Sequence, residues 1–167
     1  MNILSVYLTN LGKYNEGYLI GEWLQLPATE EEINACMNRI GINDRYEEWF
    51  ITDYESDLGL TAGEYDNLST LNELCETIEN SDMDPEIFAS IYGELNDIDA
   101  TLSADYMVYW DCNDMTDVAY QYIEETGMLS QVPDSIANYF DYEAFGRDMS
   151  YDGSWISFDH GYIEVLY

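Results

Sequence analysis

The sequence predicts an α+β fold, drawn out as an elongated chain of three small modules. These are an antiparallel sheet plus a helix at residues 1–60, a central acidic helical segment at 61–105, and a mixed module of sheet and helices at 106–167. Three observations predict it. Runs rich in β-branched and aromatic residues lie towards both ends, whereas the i, i+3, i+4 spacing of amphipathic helices dominates the middle. The 167 residues are 47% hydrophobic and 15% aromatic, with 16 tyrosines and 4 tryptophans spread throughout, so there is material for a core. Against this stand 35 Asp and Glu to only 4 Lys and Arg, a net charge of −31 whose self-repulsion an elongated molecule relieves better than a sphere.

The elements follow in order. ILSVYLT at 3–9 and YLIGEWLQL at 18–26 read as antiparallel strands joined by NLGKYNEG, whose Gly and Asn residues suit a long turn. Pro27 ends the second strand. Thr29 and Glu32 have the spacing of a capping box ahead of Ile33, Cys36, Met37 and Ile40, which share one helical face, and Gly41 is a natural stop. A third strand is expected near Glu48–Asp53. Thr61 with Glu64 has capping-box spacing too, and Leu71, Leu74, Cys75 and Ile78 line the face of the helix that follows. Asp84 and Pro85 open another helix, with Ile87, Ile91 and Leu95 inward. A strand at Tyr106–Trp110 precedes a helix from about Met115 to Thr126, capped by Asp114, stopped at Gly127, and burying Val118, Tyr122 and Ile123. One or two short helices between Pro133 and Arg147 lead to a terminal hairpin, Trp155–Phe158 and Tyr162–Leu166, around Asp159-His160-Gly161.

The acids are not a tail. The three modules carry 11, 12 and 12 carboxylates against 3, 0 and 1 bases, and no Lys or Arg lies between Arg45 and Arg147. Most carboxylates therefore have no intramolecular cation to pair with. Crowded like charges are expected to raise carboxylate pKa values on folding, so stability is expected to increase as pH falls from 7. Duplex DNA carries one charge per roughly 1.7 Å, so 31 charges match about 15 base pairs. The protein should be repelled by nucleic acid and attracted to proteins that bind it.

Chemistry-bearing motifs are scarce. Acid pairs at any spacing arise by chance among 35 carboxylates, so no glycosidase-like pair can be inferred. His160 is the single histidine, no Ser or Cys stands in a nucleophile context such as GxSxG, and phosphate-cradling glycine motifs are absent. Asp82-x-Asp84-x-Glu86 lacks the loop glycine of a calcium site, as does Asp111 to Asp117. The three cysteines, Cys36, Cys75 and Cys112, are widely spaced and read as small buried residues, not a disulfide or zinc framework. No signal peptide and no run of roughly 20 apolar residues is visible, so a cytoplasmic protein with no metal, cofactor or membrane partner is expected. The remaining feature is the charged surface. It can belong to a DNA-mimicking inhibitor, a general decoy for basic nucleoid proteins, or a halophile-type soluble protein that binds neither.

Several segments resemble one family. VYLTNLGKYNEGYLIGEWLQLP at 6–27, DRYEEWFITDYE at 44–55, AYQYIEETGMLSQVP at 119–133 and NYFDYEAFGRDM at 138–149 are similar, in order and spacing, to the ArdA antirestriction proteins of bacterial mobile and conjugative elements. SWISFDHGYIEVLY resembles that family's terminal hairpin. The resemblance implies no enzyme but a homodimeric DNA mimic. Its target would be the DNA groove of type I restriction-modification enzymes, formed by their specificity and modification subunits, and both cleavage and methylation would be blocked. The phosphate-like carboxylates are expected in the base-free middle and its flanks: Glu73, Glu76, Glu79, Asp82, Asp84, Glu86, Glu94, Asp97, Asp99, Asp111, Asp114, Asp117, Glu124 and Glu125. The resemblance points dimerisation to the carboxy-terminal module, where Met128, Leu129, Val132, Ile136 and Tyr139 are candidate interface or internal core. Arg147, isolated among acids, is expected to bridge carboxylates.

Overall fold

A computed structural model describes residues 1–166. It bears out the α+β class: two three-stranded antiparallel sheets and eight helices. The chain divides into two compact units, Met1–Ala89 and Ser90–Tyr167.

In the first unit, β1 (Leu4–Asn10) is central and pairs antiparallel with β2 (Gly21–Leu26) and β3 (Trp49–Glu55), in the order β2-β1-β3. Strand alternation sends Leu4, Val6 and Leu8 inward, where Leu24, Leu26 and Ile51 meet them. The segment expected to be a long turn instead contains a short helix, α1 (Leu11–Asn15). The buried Asn10 side chain explains it: its Oδ1 accepts from the Lys13 amide at 2.9 Å and its Nδ2 donates to the Ile40 carbonyl at 3.1 Å. Helix α2 (Glu30–Arg39) starts at the expected capping box and ends at Gly41, whose φ of +81° suits glycine. Helix α3 (Leu68–Asn80) buries Leu71, Leu74, Cys75 and Ile78 as its periodicity requires. Thr61 does not cap it. Residues 61–67 remain irregular because the Ile51 amide donates to the Glu64 carbonyl, and Asn67 caps the helix through the Ser69 amide.

Helix α4 (Pro85–Leu95) begins as expected at Asp84-Pro85 and carries buried Ile87, Phe88 and Ile91, while Leu95 is half-buried. The unit boundary falls within it. In the second unit, α5 (Ile98–Ser103) precedes β4 (Asp105–Trp110), which pairs with β6 (Gly161–Leu166), and β6 pairs with β5 (Ser154–Phe158), giving the order β4-β6-β5. Helix α6 (Met115–Thr126), short α7 (Asp134–Ala137) and α8 (Tyr142–Asp152) lie between them in sequence. Tyr109, Val118, Ala119, Ile123, Ile163 and Val165 form this unit's buried core. Helices α6 and α8 pack at Gly146, where a Cβ would run into the Met115 carbonyl. Among the described residues no helix is long and apolar enough to cross a membrane.

Candidate functional site

The structure places none of the 35 carboxylates in the interior, and all but Glu22, Glu86, Asp117 and Glu164 are exposed. Both units share the charge, with 19 carboxylates and 3 bases in the first and 16 and 1 in the second. The four bases are all placed beside acids: Lys13 on Glu16 at 3.1 Å, Arg39 on Glu22 at 2.8 Å, Arg45 on Glu16 at 3.8 Å and Arg147 on Asp148 at 3.7 Å. Among the described residues Arg147 thus meets only its exposed neighbour instead of bridging a cluster, and such surface pairs are worth about 0–1 kcal/mol.

The fourteen candidate residues fall into two groups. Glu73, Glu79, Asp82, Glu94, Asp99 and Glu124 are exposed, with no side-chain partner among the described residues. Others also serve the fold. Asp84 accepts from the Glu86 amide, Asp97 from the Ala100 amide at 2.7 Å, and Asp114 from the Thr116 and Asp117 amides, each capping a helix start where the backbone donors are unsatisfied. Glu76 and Glu125 accept from Asn72 and Gln121 one turn earlier. Asp117 accepts from both the backbone and side-chain amide of Asn113. Asp111 sits at φ +58° with its amide donating to the His160 carbonyl, so the β4–α6 turn fixes it. Half-buried Glu86 lies in the first turn of α4. On α3, Glu73, Glu76 and Glu79 step by three residues across the exposed side, drifting from the face opposite the buried residues at Glu73 to their flank at Glu79.

The expected upward drift of carboxylate pKa values meets the opposite sign at four positions. Glu16 is held below the usual range by Tyr46 and Lys13, Glu22 by Arg39, Glu32 by the Thr29 amide and hydroxyl, and Asp117 by Asn113. Hydrogen bonds to the charged form dominate there. The thiols move up: burial takes Cys75 to about 12 and raises Cys36 and Cys112, which disfavours nucleophilic thiolates. Cys36 and Cys75 are buried as expected, whereas Cys112 is only half-buried, its Sγ facing the Gln121 amide oxygen at 3.4 Å. Among the described residues no group of three or more His, Cys, Asp or Glu is placed to hold a metal ion.

A family model for the antirestriction protein ArdA matches residues 6–164. The chain belongs to the ArdA antirestriction family. The match spans the four segments that carry the resemblance as well as the acidic middle. No curated protein matches the chain by sequence. Met128, Ile136 and Tyr139 stand exposed at 49%, 61% and 87%, and Leu129 and Val132 are half-buried. A set of side chains that the sequence did not single out is aromatic: Tyr7, Trp23 and Phe50 line a groove on the outer side of the first sheet. The signal available was the alternation in the first two strands, where Tyr7 and Trp23 occupy positions out of phase with the buried leucines.

Proposed function

We propose that the protein is a non-enzymatic DNA mimic. It occupies the DNA-binding groove formed by the specificity and modification subunits of type I restriction-modification enzymes in the bacterial cytoplasm. The observation that carries this reading is the surface: every carboxylate is at least partly exposed, while the few bases are spent on local pairs. Basic groove residues that normally hold phosphate pair with these carboxylates, release their counterions and exclude the substrate. The stepping of Glu73, Glu76 and Glu79 by about 4.5 Å of helix rise is comparable to the 3.4 Å charge spacing of one DNA strand. Since no base edge is copied, inhibition is independent of recognition sequence, and cleavage and methylation both fall. The exposed apolar side chains at 128–139 support pairing with a second copy. A dimer would carry −62, the phosphate charge of about 31 base pairs.

The test is competition for a type I enzyme bound to labelled DNA at about 150 mM salt, alongside a disordered polyanion of equal charge. Displacement near one dimer per enzyme, with the polyanion far weaker, is the expected outcome. Equal displacement by the polyanion would reduce the protein to a general acidic decoy, and no displacement would sink the mimicry altogether.

A further inference from the structure

The outer face of the first sheet carries an aromatic groove of about 850 Å³, with Tyr7, Trp23 and Phe50 beside Asp53 and Glu64. Tyr7 on the central strand is the cross-strand partner of both Trp23 and Asp53, so these three side chains stand in a row. The Tyr7 and Trp23 rings meet edge-to-face at 5.3 Å between centroids. Phe50 is buried at the base, while Trp23 is 41% exposed. One oxygen of Asp53 accepts from the Tyr54 amide at 2.9 Å, which steadies the carboxylate and leaves its other oxygen available.

Two of the chain's four cations are held by a ring beside a carboxylate. Lys13 lies 4.3 Å from the Tyr46 ring centre and 3.1 Å from Glu16, and Arg45 lies 5.1 Å from the same ring and 3.8 Å from the same acid. The sheet groove repeats that pairing with larger rings, yet all four Lys and Arg are engaged elsewhere. A cation for it has to come from another molecule, and the negative surface of this unit favours one. We propose that the groove is an arginine-docking site. A guanidinium from a basic partner stacks on Trp23 and Tyr7 while Asp53 accepts its N–H groups. Arginine is favoured over lysine because its planar, weakly hydrated fork both stacks and makes directed hydrogen bonds, whereas an isolated carboxylate accepts either as a charge. The groove thereby adds to a distributed electrostatic grip an interaction that duplex phosphates lack. It rests on the mimicry reading only for the identity of the partner.

The test uses the full-length protein with labelled oligoarginine and oligolysine of equal length, followed by fluorescence anisotropy at about 300 mM salt, where exposed charges are largely screened. Oligoarginine should bind about fivefold more tightly. Trp23→Ala and Asp53→Asn should each erode that preference, Trp23→Ala with little change in oligolysine binding, and Trp23→Phe should retain part of it. Thermal melts identify any variant that fails to fold, and Asp53→Asn, at an exposed position, then decides together with Trp23→Phe. Equal binding of the two peptides, or a preference that survives the folded variants, would overturn the site. Wild-type protein that prefers oligoarginine but fails to displace DNA would refute the mimicry and leave the groove standing.

Discussion

Thr29 and Glu32 show how a single residue pair serves both fold and charge in this chain. The Thr29 hydroxyl accepts from the Glu32 amide at 3.3 Å, and the Glu32 carboxylate takes the Thr29 amide at 2.8 Å, so the start of α2 is satisfied reciprocally. Thr29→Ala should lower unfolding stability by about 1 kcal/mol in a chemical denaturation measurement at pH 7. The dependence on pH has a definite sign. Glu32 is depressed below its ordinary 4.5 in the fold, so its contribution is complete above that value and is lost as pH falls through the lower folded value. Glu32→Ala should therefore be less stable than the wild type at pH 7, with the two converging as pH is lowered below about 4.5. A gap that stays constant down to pH 3 would contradict the assignment. The same direction applies to Glu16 and Glu22, so this part of the first unit should weaken in acid instead of gaining from relief of repulsion.

At the scale of the element, the α6–α8 packing depends on Gly146. Its missing side chain lets α8 approach the Met115 carbonyl and Thr116 amide at the start of α6. Gly146→Ala keeps a helix-compatible backbone but forces the helices apart, and should cost about 1–3 kcal/mol despite alanine's better helix propensity. A melting temperature equal to or above that of the wild type would refute the close-packing argument. This glycine sits in DYEAFGRDM, a segment whose family resemblance is plain in the sequence, although the isolated charge of Arg147 is the more conspicuous feature there. Elements marked by strong periodicity were legible: the three strands of each sheet and helices α2, α3, α4 and α6, along with the caps at Thr29, Asp84 and Asp114. What escaped depended on tertiary partners. The single turn of α1 needs Asn10 held by Ile40, and the delayed start of α3 needs the Glu64 carbonyl engaged by β3. Neither interaction leaves a trace in local spacing.

At the scale of the molecule, charge was the legible part of the site, since a polyanion with so few bases cannot bury its acids in a core without leaving them unpaired. Beyond the caps at Asp84 and Asp114 the carboxylates' division of labour was not legible, because a capping acid and a freely exposed one are the same residue types. That division leads to a prediction about how inhibition is distributed. Neutralising one exposed acid, as in Glu79→Gln, removes one charge from 31 and should change displacement of enzyme-bound DNA less than twofold. Replacing Glu73, Glu76 and Glu79 together by Gln leaves the buried face of α3 untouched. It should lower the slope of log affinity against log salt by roughly one unit for each carboxylate that pairs with the enzyme. Asp97→Ala and Asp114→Ala act differently. They disturb helix starts, so any loss of inhibition should come with a lower melting temperature. Measuring affinity at several salt concentrations beside thermal stability separates the two classes. A single exposed substitution that abolished inhibition in a stably folded protein would replace the distributed surface with a localised one.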